Sequence, residues 1–204
     1  MDKKIIASLS IIIILLGLLS TTCHASAEAR VFSSSKSPTY KNCAVYAASG
    51  LTKLGYSPCQ SEIGTITKTS MLQYIGRTDN NYGLYVHALG GQGFWDDYYG
   101  NRITASDLSG YWDFVFLDVT QTARDKTLAN ALHCIGYTNR CFLGWYNTVM
   151  FSDAETFGYY FWLEQVGRGN SIYSAAINAA SSVPGAISAS IMLYGSTTYT
   201  GVAR

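Results

Sequence analysis

Two side chains near the middle of this chain are of types that can act together in hydrolysis. His87 closes the apolar run Leu84-Tyr85-Val86, and Thr120 follows the run from Asp113 to Val119, DFVFLDV. An imidazole titrating near about pH 6.5 can take a proton from a neighbouring hydroxyl, and that hydroxyl can then attack a carbonyl. Thr120 is a difficult nucleophile, however. Threonine nucleophiles usually rely on the chain's own terminal amine, which an internal residue lacks. The pair therefore has two readings, a hydrolytic dyad or a hydrogen-bonded strand-end histidine beside an inert hydroxyl. With no thiol at the end of the second strand, the structural reading of His87 is favoured.

Other polar and aromatic residues crowd the same region. The segment Gly93-Phe94-Trp95-Asp96-Asp97-Tyr98-Tyr99 follows His87 and is expected to rim the same cleft. Trp95 and Tyr98 there could grip a peptide or a sugar, or fold down as a hydrophobic cover. Asp96 and Asp97 are two adjacent acids, a weak calcium signal, and no metal or cofactor is assigned. His133 reads as a surface or structural residue.

The elements that must position these groups follow from hydrophobic periodicity. Strands are expected at 31–34, 62–66, 83–87, 113–119 and 141–145, with a closing strand at 187–194. Helices are expected at 40–54 and 70–75. Another should carry Leu128, Ala131, Leu132 and Ile135 behind an Asp125 cap. A further helix should open at the capping-box pattern Ser152 to Glu155 and stop near Gly167. The last should be capped by Asn170 or Ser171 and broken at Pro184-Gly185. Residues 90–100 read as loop, and the tail from Ser196 as frayed. Short apolar strands alternating with amphipathic helices imply an α/β fold, a three-layer sandwich whose mostly parallel sheet is covered on both faces. Functional residues of such sheets gather at the carboxyl ends of the strands, where His87 and Thr120 both stand.

Composition narrows the classes. Charged residues make up 13% of the chain and the net charge is +1, while tyrosines number 16. There is no electrostatic footprint for nucleic acid and no polybasic face for anionic lipid. Lys3 and Lys4 precede an apolar stretch from Ile5 to Leu19, followed by the small-x-small triplets Ala25-Ser26-Ala27 and Ala27-Glu28-Ala29. This pattern reads as a cleaved export signal over residues 1–27, leaving one secreted domain over 28–204 with no membrane attachment. The apolar stretch is short for a bilayer span of roughly 20 residues. Export permits disulfides. Cys134 and Cys141 flank a short turn and could form a local clamp, and Cys43 with Cys59 would then tie a helix to the segment after it. The alternative is four buried free thiols. No C-x-x-C zinc spacing is present.

Tyr85-Val86-His87-Ala88-Leu89-Gly90-Gly91 and Phe116-Leu117-Asp118-Val119-Thr120 together resemble the two site strands of the caspase-like fold. That clan includes caspases, clostripain, gingipains, separase and the CHAT domains. Phe142-Leu143-Gly144-Trp145 and the helical segments 154–161 and 169–176 are similar to the clostripain, gingipain and CHAT groups. The resemblance covers most of residues 80–180. It implies that Thr120 stands where those peptidases carry cysteine, and that Ala88 replaces the usual glycine. By the same resemblance Asp118 would line a pocket for an Arg or Lys side chain. Read on its own, it is a strand-end residue capping a neighbouring loop. The expected function is a catalytically inactive peptidase homologue that binds a peptide or protein in the old cleft. The alternatives are a secreted peptidase cleaving after Arg or Lys with His87 and Thr120, and a cell-surface or glycan-binding module.

Overall fold

Alternation within three central strands decides the layers. The computed structural model describes residues 27–76, 82–183 and 190–202. In β3 (Tyr82–His87), Leu84 and Val86 enter one core, and Tyr85 enters another. In β7 (Phe114–Asp118), Val115 and Leu117 face the first core, and Phe114 and Phe116 the second. In β8 (Cys141–Trp145), Phe142 faces the first, and Cys141, Leu143 and Trp145 the second. Successive side chains on a strand point to opposite faces, so a run that is apolar throughout must be covered on both.

These strands are the middle of a six-stranded sheet. Completing it are β1 (Glu28–Ser34), β2 (Cys59–Gly64) and β9 (Ile191–Gly195), in the order β2-β1-β3-β7-β8-β9. All neighbours run parallel except β8 and β9. One face is covered by α1 (Tyr40–Lys53), α4 (Phe151–Gly158) and α5 (Ile172–Ser181). The other is covered by α2 (Lys68–Ile75) and α3 (Thr127–Ala131). Beside them sits a small antiparallel sheet of β4 (Gly90–Gly91), β5 (Phe94–Asp96) and β6 (Arg102–Thr104). The expected three-layer α/β sandwich is therefore what forms.

Local chemistry accounts for several boundaries. Ser171 caps α5 by accepting from the Ser174 amide at 3.2 Å, and Asp125 accepts from the Thr127 amide at 2.8 Å at the start of α3. Other expectations need correcting. Residues 90–100 are not plain loop, because Phe94–Asp96 pairs with strands on both sides. The helix expected to reach Ile135 stops at Ala131, where His133 (φ 53°) and Gly136 (φ 87°) turn left-handed. The helix after Phe151 changes to π-helical winding over Tyr159–Gln165. The tail is docked rather than frayed. Tyr199 is buried with its hydroxyl 2.6 Å from that of Tyr56, and the Val202 amide donates to the Leu54 carbonyl.

The four cysteines among the described residues, Cys43, Cys59, Cys134 and Cys141, are free thiols, which overturns both expected disulfides. Cys59 pairs with Ala29 at the start of β1. The Cys43 thiol instead lies against Thr39 and in a cluster with His87 and Asp118. Cys141 and Cys134 sit in the two different cores, and the Cys134 thiol lies against the carbonyls of Trp112 and Leu132. Of the leader expected at 1–27, only Ala27 is among the described residues. Its carbonyl accepts from the Ser57 amide. The Pro184-Gly185 break and the first residues of the expected closing strand also lie outside the described residues.

Candidate functional site at the carboxyl end of the sheet

The same alternation continues to the strand ends. Tyr85 and His87 on β3, Asp118 on β7 and Trp145 on β8 fall on the face that α1 covers. The register sets His87 opposite Asp118, and the Leu117–Gly144 pairing brings Trp145 beside Asp118. Both carboxylate oxygens of Asp118 are engaged. Oδ2 accepts from the Tyr85 hydroxyl at 2.6 Å and from His87 Nδ1 at 2.8 Å, and Oδ1 accepts from Trp145 Nε1 at 2.6 Å. The remaining ring nitrogen of His87, Nε2, lies 2.6 Å from Ser37 Oγ and 3.3 Å from Thr39 Oγ1. Ser37 stands in the turn between β1 and α1 and has no exposed surface.

The electrostatics follow from this enclosure. Burial opposes the charged imidazolium of His87, but the charge and hydrogen bond of Asp118 reverse that effect, helped by Cys43, and the pKa rises to about 10. Burial likewise raises the Asp118 carboxyl, and the imidazolium with the Tyr85 and Trp145 donors brings it below its ordinary value. At neutral pH the two form an ion pair, and His87 donates to Ser37 through Nε2. A histidine in that state holds a proton and does not accept one.

Cys43, His87 and Asp118 are the one group of three metal-ligand types brought together among the described residues, with ligand atoms within 4.8 Å of one another. Their donors are already committed to each other and to Tyr85 and Trp145. A cation there would need the imidazole deprotonated and pulled from its carboxylate, a poor starting point for a metal site.

Next to this cluster opens a cavity of about 360 Å³. His87, at the end of β3, and Thr120, in the turn after β7, both line it, and so does Asp118. Its walls are Leu89 and Gly90 on one side, and Thr148, Val149, Met150 and Phe151 on the other. Thr120 is half-buried, and among the described residues its hydroxyl has no hydrogen-bond partner. Gln121 next to it takes a left-handed φ of 60°, turning the chain sharply away from the sheet.

Of the other sequence candidates, Trp95 and Tyr98 lie outside the cavity wall. Trp95 is fully buried in the core under α2, its indole nitrogen 3.4 Å from Met71 Sδ, so it does not reach a ligand in the cavity. Tyr98 is half-buried against Tyr99 and is not a wall residue of the cavity. Asp118 neither caps a loop nor offers a free carboxylate. Asp97 binds its own loop, accepting from the amides of Lys68, Tyr99 and Asn101. His133 stacks on Tyr111 at 4.4 Å.

Sequence reasoning missed Ser37, the roles of Tyr85 and Trp145, and the wall at 148–151. Ser37 could have been sought, since a buried histidine needs partners on both nitrogens and the carboxyl end of β1 lies next to that of β3.

No protein-family model matches this chain, and no curated protein matches it in sequence. Among solved structures, caspase-1 from Spodoptera frugiperda superposes with a TM-score of 0.55. The match has 10% sequence identity and spans 88% of this chain and 90% of that one. The chain therefore has a caspase-like α/β fold.

Proposed function

We propose that this chain is an exported, non-catalytic caspase-like domain that binds a peptide segment in the cavity beside His87. The observation that carries this reading is the hydrogen bonding of His87. Nδ1 is held by Asp118 and Nε2 by Ser37, so neither nitrogen is left to deprotonate Thr120. The Thr120 hydroxyl without such a base is a weak nucleophile. An open cavity of this size in an inert frame suits a bound side chain with its flanking backbone.

One observation favours a second reading. The chain Ser37 Oγ, His87 Nε2, His87 Nδ1, Asp118 Oδ2 has the connectivity of a serine-hydrolase triad, at 2.6 and 2.8 Å. The binding reading is preferred because Ser37 is wholly enclosed, is not a wall residue of the cavity, and faces a protonated imidazole. A labelling experiment separates the two. The purified protein is treated with a fluorophosphonate and, separately, with a phenylalanyl and an arginyl peptide chloromethyl ketone, and intact mass is measured. No adduct is expected. A stoichiometric adduct mapped to Ser37, His87 or Thr120 would establish an enzyme.

A further inference from the structure

We infer that the cavity selects an uncharged, apolar side chain of its peptide ligand, and that it excludes both basic and acidic ones. This rests on the binding reading above. Seven of the residues forming the cavity surface, Ala88, Leu89, Trp145, Val149, Met150, Phe151 and Ala154, present aliphatic, thioether or aromatic groups. Among the described residues the ionisable ones on that surface are His87 and Asp118, and they neutralise each other at 2.8 Å. Both Asp118 oxygens already accept from protein donors, so a guanidinium or ammonium entering the cavity finds no free carboxylate. Among the described residues no lysine or arginine lines the cavity, so an acidic side chain finds no cation there other than the imidazolium already paired. A charged side chain entering would lose hydration with nothing to replace it, whereas an apolar one gains by leaving water. The Thr120 hydroxyl, without a partner among the described residues, and the exposed residue Thr148 stand among these walls. They can take the backbone groups of a peptide ligand, which a free hydrocarbon lacks.

The test uses four N-acetylated, C-amidated tetrapeptides, Ala-Ala-Xaa-Ala with Xaa as Phe, Leu, Arg or Asp. Each is titrated by calorimetry into the protein and into Thr120→Asp, whose fold is checked by circular dichroism. The Phe and Leu peptides are expected to bind about tenfold or more tighter than the Arg and Asp peptides. Thr120→Asp, which adds an unpaired carboxylate to the cavity, is expected to weaken Phe binding and strengthen Arg binding. Equal or tighter binding of the Arg or Asp peptide by the unaltered protein would overturn the apolar selectivity while leaving the binding reading intact. Saturable binding of none of the four would overturn both. Should Thr120→Asp fail to fold, Thr148→Asp on the exposed rim serves the same comparison.

Discussion

Asp118 organises the carboxyl end of the sheet by holding Tyr85, His87 and Trp145 with two oxygens. Truncating one partner of a buried pair leaves the other charge uncompensated, at a cost of about 3–5 kcal/mol. The linkage to pH has a definite sign. The folded-state pKa of His87 is raised from 6.5 to about 10, so its contribution to stability is full below 6.5 and is lost as pH rises to about 10. Asp118 is depressed below 3.8, so its contribution is present above 3.8 and is lost as pH falls through its lowered value. Urea midpoints measured across pH should therefore form a plateau between 3.8 and 6.5 and decline on the alkaline side. Asp118→Asn should lower the plateau and flatten the alkaline decline, since His87 would then be buried neutral. An undiminished alkaline slope in that variant would mean the decline comes from other groups. His87 and Asp118 were both visible in the sequence as strand-end residues, but their mutual bond was not, because it depends on cross-strand register. Ser37 was hidden for the same reason, lying 50 positions from its partner.

At the level of elements, α1 must pass close to the π-helical segment. A Cβ added at Gly50 would fall on the Trp162 ring, itself fully buried against Tyr85, Phe114 and Phe116. Helix propensity alone favours Ala over Gly by about 1 kcal/mol. Overpacking a core costs about 1–3 kcal/mol and should win here, so Gly50→Ala is expected to lower thermal stability. A rise in the melting temperature would show that the indole moves aside freely. The helical stripe of α1 was legible from Ala44, Ala47 and Leu51, and β7 from its unbroken apolar run. The change to π winding was not legible, since the aromatic residues Tyr159 to Trp162 fit helical periodicity in either form. The β4-β5-β6 sheet was concealed by glycines that normally mark loops. Here a side chain at Gly90 would strike Val119 and the Phe94 carbonyl, so Gly90 permits close strand approach.

For the molecule as a whole, continuous apolar strands separated by amphipathic helices were enough to specify a two-faced sheet, and the caspase-like fold carries that pattern. What the sequence could not convey is how the site is used. A histidine at the right strand end serves a base equally well as a buried ion pair, and only the partners of both ring nitrogens distinguish them. Trp95 shows the same limit, because an aromatic residue following the His87 strand can belong to the core. In the proposed function the cavity holds a peptide without cleaving it. The most direct test incubates the protein with a saturating excess of the acetylated Ala-Ala-Phe-Ala amide and follows both binding and peptide mass over a long incubation. Saturable binding with the peptide recovered intact is expected. Accumulating hydrolysis products that disappear in Ser37→Ala or Thr120→Ala would contradict it.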